Sequence, residues 1–132
     1  MRTLFHSVAV LAVAALLGSQ AVAASLHSPS GTWITNGGES KYKLALCGDG
    51  DDLCGILVWL RPDARNEATE KYLNKMLLNA APRVASQKWR GQVSVAGRNF
   101  NGSITLLDAN NIHIRGCEGA LCQGIDLIRV KD

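Results

Sequence analysis

The chain has 132 residues, 19% of them charged and 47% hydrophobic, four cysteines and a formal charge of +3. That length accommodates one domain with a modest core. The mild charge, spread along the chain without a basic run interleaved with aromatics, argues against a nucleic-acid or anionic-membrane partner.

The first predicted element is a cleaved leader. Arg2 precedes an apolar run from Val8 to Leu17, followed by Gly18-Ser19-Gln20 and then Ala21-Val22-Ala23. A positive start, a run too short to cross a bilayer and small residues three and one before a cut are the requirements of signal peptidase. The cut is placed after Ala23, with Ala24 as the alternative. Residues 1–23 are thus expected to be a signal peptide and residues 24–132 a single domain, exported to the periplasm or the medium. No cysteine lies near the cut to accept a lipid, and no later stretch could span a membrane. Losing Arg2 lowers the charge to +2 and leaves about 109 residues, few enough that cross-links would add appreciably to the core.

In the mature part the apolar residues recur mostly with period two, the pattern of half-buried strands. Trp33 opens a short strand after Ser28-Pro29-Ser30-Gly31, and Asn36-Gly37-Gly38 signals a hairpin turn. A second strand follows, with Tyr42, Leu44 and Leu46 opposite Lys41 and Lys43. From Leu53 to Leu60 both faces are apolar, Leu53, Leu57 and Trp59 alternating against Ile56 and Val58, so this strand is expected to be covered on both sides. Asn66 can cap a helix with Ala68, Tyr72, Met76 and Leu77 on one side and Glu67 and Glu70 in its first turns. Such a helix would cover the Leu53 to Leu60 strand or plug one end of a barrel. Beyond Pro82, Trp89, Gly91, Val93 and Val95 alternate with Lys88, Arg90, Gln92 and Ser94. Gly97-Arg98 turns the chain, Phe100, Gly102, Ile104 and Leu106 repeat the rule, and Asp108-Ala109-Asn110-Asn111 makes the next turn. Ile112 and Ile114 follow, and Ile125 to Val130 closes the domain. The expected fold is mainly β: a small antiparallel up-and-down barrel of about 7–8 strands with one short helix, ahead of a two-sheet sandwich.

All four cysteines lie in the mature part as two close pairs, each flanking a turn. Cys47 with Cys54 encloses Gly48-Asp49-Gly50-Asp51-Asp52, and Cys117 with Cys122 encloses Glu118-Gly119-Ala120, so local disulfides are predicted. A four-thiolate zinc cluster is the competing use, but the six residues between Cys47 and Cys54 exceed its usual ligand spacing. The Asp49, Asp51, Asp52 turn lacks the later glutamate of an EF-hand and is read as a solvated turn. No metal and no cofactor is expected.

No catalytic constellation emerges. His6 falls in the leader, His27 in the N-terminal segment, and His113 on the polar side of a strand. No serine sits in a nucleophile-elbow pattern and no phosphate loop occurs. The expected function is therefore a non-catalytic binding module for a small apolar or amphipathic ligand, with Trp33, Tyr42, Trp59, Trp89 and Phe100 as candidate lining residues. The alternative is a protein of the cell envelope that docks to, or inhibits, a protein partner through Asp49, Asp51, Asp52, Arg61 and Arg65.

Several of these features together resemble a known family. Gly31-Thr32-Trp33, Cys47-Gly48, Leu53-Cys54-Gly55 leading to Trp59-Leu60, the Trp89 and Gly91 pair, and Ile114-Arg115-Gly116-Cys117 with a late Arg129 resemble the bacterial exported family called domain of unknown function 2147. The resemblance spans about Gly31 to Val130 and implies a lipocalin-like barrel with no established activity. The chain departs from the pattern twice. Val93-Ser94-Val95-Ala96 replaces a tyrosine-containing strand with an aspartate-proline turn, and Leu127 stands where a tryptophan is expected.

Overall fold

Hairpin after hairpin, the alternating segments pair with their sequence neighbours. The computed structural model describes residues 18, 26–95 and 98–131, so the leader assigned to residues 1–23 lies, Gly18 apart, outside the described residues. The strands are β1 (Gly31–Thr35), β2 (Ser40–Cys47), β3 (Asp52–Leu60), β4 (Met76–Ala81), β5 (Arg83–Ala85), β6 (Lys88–Val95), β7 (Arg98–Asp108), β8 (Asn111–Glu118) and β9 (Leu121–Arg129). They form one antiparallel sheet in the order β4-β3-β2-β1-β9-β8-β7-β6-β5, and a further β4–β6 pairing closes it. Pro82, which has no N–H to donate, separates β4 from β5, and Ala80 before it holds φ at 50°. The two segments act as one kinked stave, so the molecule is a closed eight-stranded barrel.

The closing seam is narrow. Leu78 of β4 opposes Val93 of β6, and the Arg90 amide donates to the Pro82 carbonyl at 3.0 Å. Gly91 makes this approach possible: a Cβ there would stand 2.8 Å from the Ala81 Cβ and 3.0 Å from its Cα. Gly91 also begins an inward-facing row of three glycines, since it opposes Gly102, which opposes Gly116. Such a row removes side chains from one wall and lets the strands bend around the barrel.

Three expectations are corrected. The helix after Asn66 is a single turn, Glu67–Glu70. Its capping box is complete, with the Asn66 side chain accepting from the Ala68 and Thr69 amides and the Thr69 hydroxyl accepting from the Asn66 amide. One turn cannot sustain itself, however, and β3 offers an unpaired edge on which Met76 and Leu77 take strand geometry. Asn74, with φ at 62°, makes the change of direction, donating its amide to the Leu57 carbonyl.

Nor is β3 covered on both sides. Leu53, Gly55, Leu57 and Leu60 are buried inside the barrel, whereas Cys54, Ile56, Val58 and Trp59 are half-buried outside it. Trp59 also leaves the inner face. A bulge opposite Lys41 and Tyr42 inserts Val58, so Trp59 pairs with outward Lys41, whose ammonium stands 4.8 Å from the ring centre.

The two ends of the barrel differ. At one end lie the β2–β3 turn, the β7–β8 turn and the N-terminal segment. Here Trp33, Trp89, Leu53, Ile104, Ile112 and Leu127 are the largest fully buried side chains. The Trp33 indole donates to the Pro29 carbonyl and the Trp89 indole to the Asp51 carbonyl, each at 2.8 Å. Arg129 lies over the Trp33 ring, its guanidinium carbon 4.3 Å from the centre, and donates to the carbonyls of Ala109, Ser30 and Ser28. This end is closed.

Both disulfides form, at opposite ends of the barrel. Cys47–Cys54 crosses the closed-end β2–β3 hairpin diagonally with its Cα atoms 5.9 Å apart, and Cys117–Cys122 joins directly opposed residues at 4.0 Å.

Three consequences are measurable by denaturant unfolding. Gly91→Ala forces backbone apart at the seam and should cost about 1–3 kcal/mol. Gly116→Ala, whose Cβ would meet Phe100 only at 3.6 Å, should be neutral or slightly stabilising. Arg129→Lys keeps the charge but loses the planar fork that reaches three carbonyls, and should cost about 2 kcal/mol.

Candidate functional site at the open end

The opposite end carries the β1–β2 turn, the connection from β3 to β4 and the Cys117–Cys122 turn, and the described residues do not fill it. Alternation along β9 turns Leu121, Ile125 and Leu127 to the inner face. Leu127 is 1% exposed, Ile125 46% and Leu121 80%, so the wall emerges from the core into solvent. Phe100, half-buried, faces inward on β7 beyond Gly102.

Two basins lie at this end. The deeper, of about 80 Å³, is lined by Tyr42, Leu44, Gly55, Leu77, Leu78, Val93, Ile104, Ile114, Ile125 and Leu127, with no charged side chain among them. The shallower, of about 220 Å³, is walled by Leu57, Leu60, Leu77, Tyr72 and Ala64 and adds the polar groups of Glu39, Ser40, Tyr42 and Thr69. Tyr42 and Leu77 line both basins and form the ridge between them.

Local structure fixes the polar rim. Ser40, 7% exposed, donates its hydroxyl to the Tyr42 phenol oxygen at 3.1 Å, which holds the ring on the ridge. Thr35 donates its hydroxyl to a Glu39 carboxylate oxygen at 2.7 Å and accepts from the Glu39 and Ser40 amides, so one threonine shapes the β1–β2 turn. The hydroxyl bond, with the residue's own backbone amide, holds the Glu39 carboxyl below its ordinary range. Arg61 donates to the Gly37 carbonyl and pairs with Asp63.

Of the residues proposed as ligand-lining, Tyr42 sits between the basins and Phe100 stands on the inner wall at the open end. Trp33 and Trp89 plug the closed end, and Trp59 is outside the barrel. The residues proposed as a partner contact are divided. Asp49, Asp51 and Asp52 belong to the closed-end turn, where Asp51 also stands 3.9 Å from Arg83. Arg61 and Arg65 lie at the open end, Arg65 donating to the Leu60 carbonyl. His113 is on the outer face, its Nδ1 2.7 Å from an Asp126 carboxylate oxygen. Among the described residues no group of three or more His, Cys, Asp or Glu could hold a metal ion.

The aliphatic lining of the deeper basin is not singled out by the sequence pattern, because these residues read as ordinary core; Gly55 is the glycine among them, at an inward position on β3.

The family described as "Uncharacterized protein conserved in bacteria (DUF2147)" matches residues 31–128. The chain belongs to this family. No curated protein and no solved structure matches it. The matched segment runs from the first strand of the barrel almost to the end of the last.

The Glu39 carboxyl should titrate with a midpoint below that of an ordinary glutamate, and Thr35→Val should raise it. Its lowered value means the turn contact is fully present above the ordinary glutamate range and is lost as pH falls through the folded-state midpoint. Carboxyl-detected NMR across the acid range measures both.

Proposed function

We propose that this protein is an exported, non-catalytic binding module that takes a small apolar or amphipathic molecule into the open end of its barrel. The single observation that carries the reading is the asymmetry of the interior. One end is filled by two tryptophans and sealed by Arg129, while the other holds an apolar basin beside a polar-rimmed one, with Tyr42 and Leu77 between them. Apolar lining with a few placed polar groups is the usual make-up of a small-molecule site. The catalytic requirement of a base within reach of a nucleophile has no counterpart in either basin. Two disulfides in a small domain support an oxidising compartment, and among the described residues no helix is long and apolar enough to cross a membrane. The charged residues that would form a protein-docking surface stand at both ends of the barrel, which favours the small-ligand reading over the envelope-partner one.

None of the three tryptophans lines a basin, so intrinsic tryptophan emission is a poor reporter of occupancy. Ile125→Trp, at an exposed lining position, both installs a reporter and obstructs the mouth of the deeper basin. Calorimetric titration of the unmodified protein with small hydrophobes and amphiphiles should show binding with a negative heat-capacity change. Ile125→Trp should weaken it by at least about tenfold, equivalent to roughly 1.4 kcal/mol. Absence of binding across the panel, or binding indifferent to Ile125→Trp, would overturn the assignment.

A further inference from the structure

We propose that the occupant of these basins is a single unbranched aliphatic chain whose head group donates hydrogen bonds, a hydroxyl or an ammonium, rather than a ring system or a fatty carboxylate. This rests on the binding-module reading above and adds the ligand's chemical class.

Size selects the chain. An apolar cavity of about 150 Å³ is what admits benzene. The deeper basin, at about 80 Å³, is well below that and accepts a chain tip more readily than a ring. Its walls are aliphatic apart from Tyr42, which suits methylenes. A molecule occupying both basins must cross the ridge of Tyr42 and Leu77, which line each of them. The Ser40 hydroxyl holds the tyrosine there, so the crossing favours something one chain wide. Beyond the deeper basin, Ile125 carries the apolar wall outward along β9, with Gln123 following it on the same face.

The rim selects the head. In the shallower basin the Thr69 hydroxyl is committed to the Ala64 carbonyl at 2.7 Å, and the Ser40 hydroxyl to Tyr42. The Tyr72 phenol, which can donate or accept, does not discriminate between head groups, and two further functions are left for a ligand. The Tyr42 phenol accepts from Ser40 and so keeps its own proton to donate. The Glu39 carboxylate, exposed at the rim, accepts from Thr35 and from its own backbone amide and retains capacity to accept from a ligand. Among the described residues Glu39 is the one charged side chain lining either basin, and Arg61 nearby is engaged by Asp63 and the Gly37 carbonyl. A hydroxyl head satisfies both functions, an ammonium gains the carboxylate's charge, and a carboxylate head meets like charge.

The test is calorimetric titration of the full mature chain with octan-1-ol, octylammonium, octanoate and the caged alcohol 1-adamantanemethanol. Octanol and octylammonium should bind, with affinity rising up to about fourfold for each methylene from hexyl to octyl. The caged alcohol should be weaker than octanol, and octanoate weaker than octylammonium, each by at least about tenfold. Glu39→Gln should bring octylammonium and octanoate to within about threefold of one another, a readout that loss of folding would not mimic. Equal binding of the caged alcohol and octanol, or of octanoate and octylammonium, overturns this inference and leaves the binding module standing. Octyl binding that Ile125→Trp does not weaken, or no binding by any probe, overturns both.

Discussion

Everything in this barrel is organised around Arg129 lying on the face of Trp33. The guanidinium stacks on the indole and its edge donates to carbonyls in the N-terminal segment and the β7–β8 turn. Three stretches distant in sequence are thus held by one planar fork, which an ammonium could not reproduce. Asp108 prepares one of them: its carboxylate accepts from the Asn110 amide and the Asn111 side chain, shaping the turn that presents the Ala109 carbonyl. With the bottom of the barrel sealed this way, the core can concentrate there. The other end need not be packed for the sheet to close.

Closure itself depends on what is missing from side chains as much as on what is present. Where β4 meets β6, Gly91 admits the Ala81 backbone, and Pro82 with left-handed Ala80 re-aims the stave. The glycines opposite and beyond it, Gly102 and Gly116, are partly roofed by Val93 and Phe100. These small residues let neighbouring groups approach the wall: the space over Gly91 is taken by Ala81 and that over Gly102 by Val93. Closure therefore rests on one feature of the sequence, small residues at inward positions.

That feature shows where the sequence was transparent. Period-two alternation, the Asn36-Gly37-Gly38 turn and the close cysteine pairs rest on local rules, and strands, hairpins and disulfides followed them. The departures are all tertiary. Met76 and Leu77 satisfy a helical spacing and yet form a strand, because β3 presents an edge that one helical turn cannot outweigh. Trp59 continues the inward alternation of Leu53 and Leu57 on paper, but one inserted residue turns it outward, and no spacing rule announces a bulge. The candidate site was half visible: Tyr42 and Phe100 are aromatic and inward. The aliphatic residues around the deeper basin look like ordinary core, and only the coordinates separate those that fill space from those that surround it.

The unfilled end bears on stability in a way that supports a role for it. Leaving about 80 Å³ of apolar volume empty costs up to about 2 kcal/mol at the slope seen for enclosed core cavities, and less because this basin opens to solvent. Domains of this size have only about 5–15 kcal/mol in total. Each short disulfide constrains the unfolded chain by about 2–3 kcal/mol, so one cross-link is enough to offset the void. A simple substitution would reduce the void instead: a larger residue at Ile125, where the wall is already half in solvent. A sequence that seals one end with two tryptophans and an arginine, yet leaves the other lined with leucine, isoleucine and valine around a space they do not fill, has the uneven packing that the proposed binding role requires.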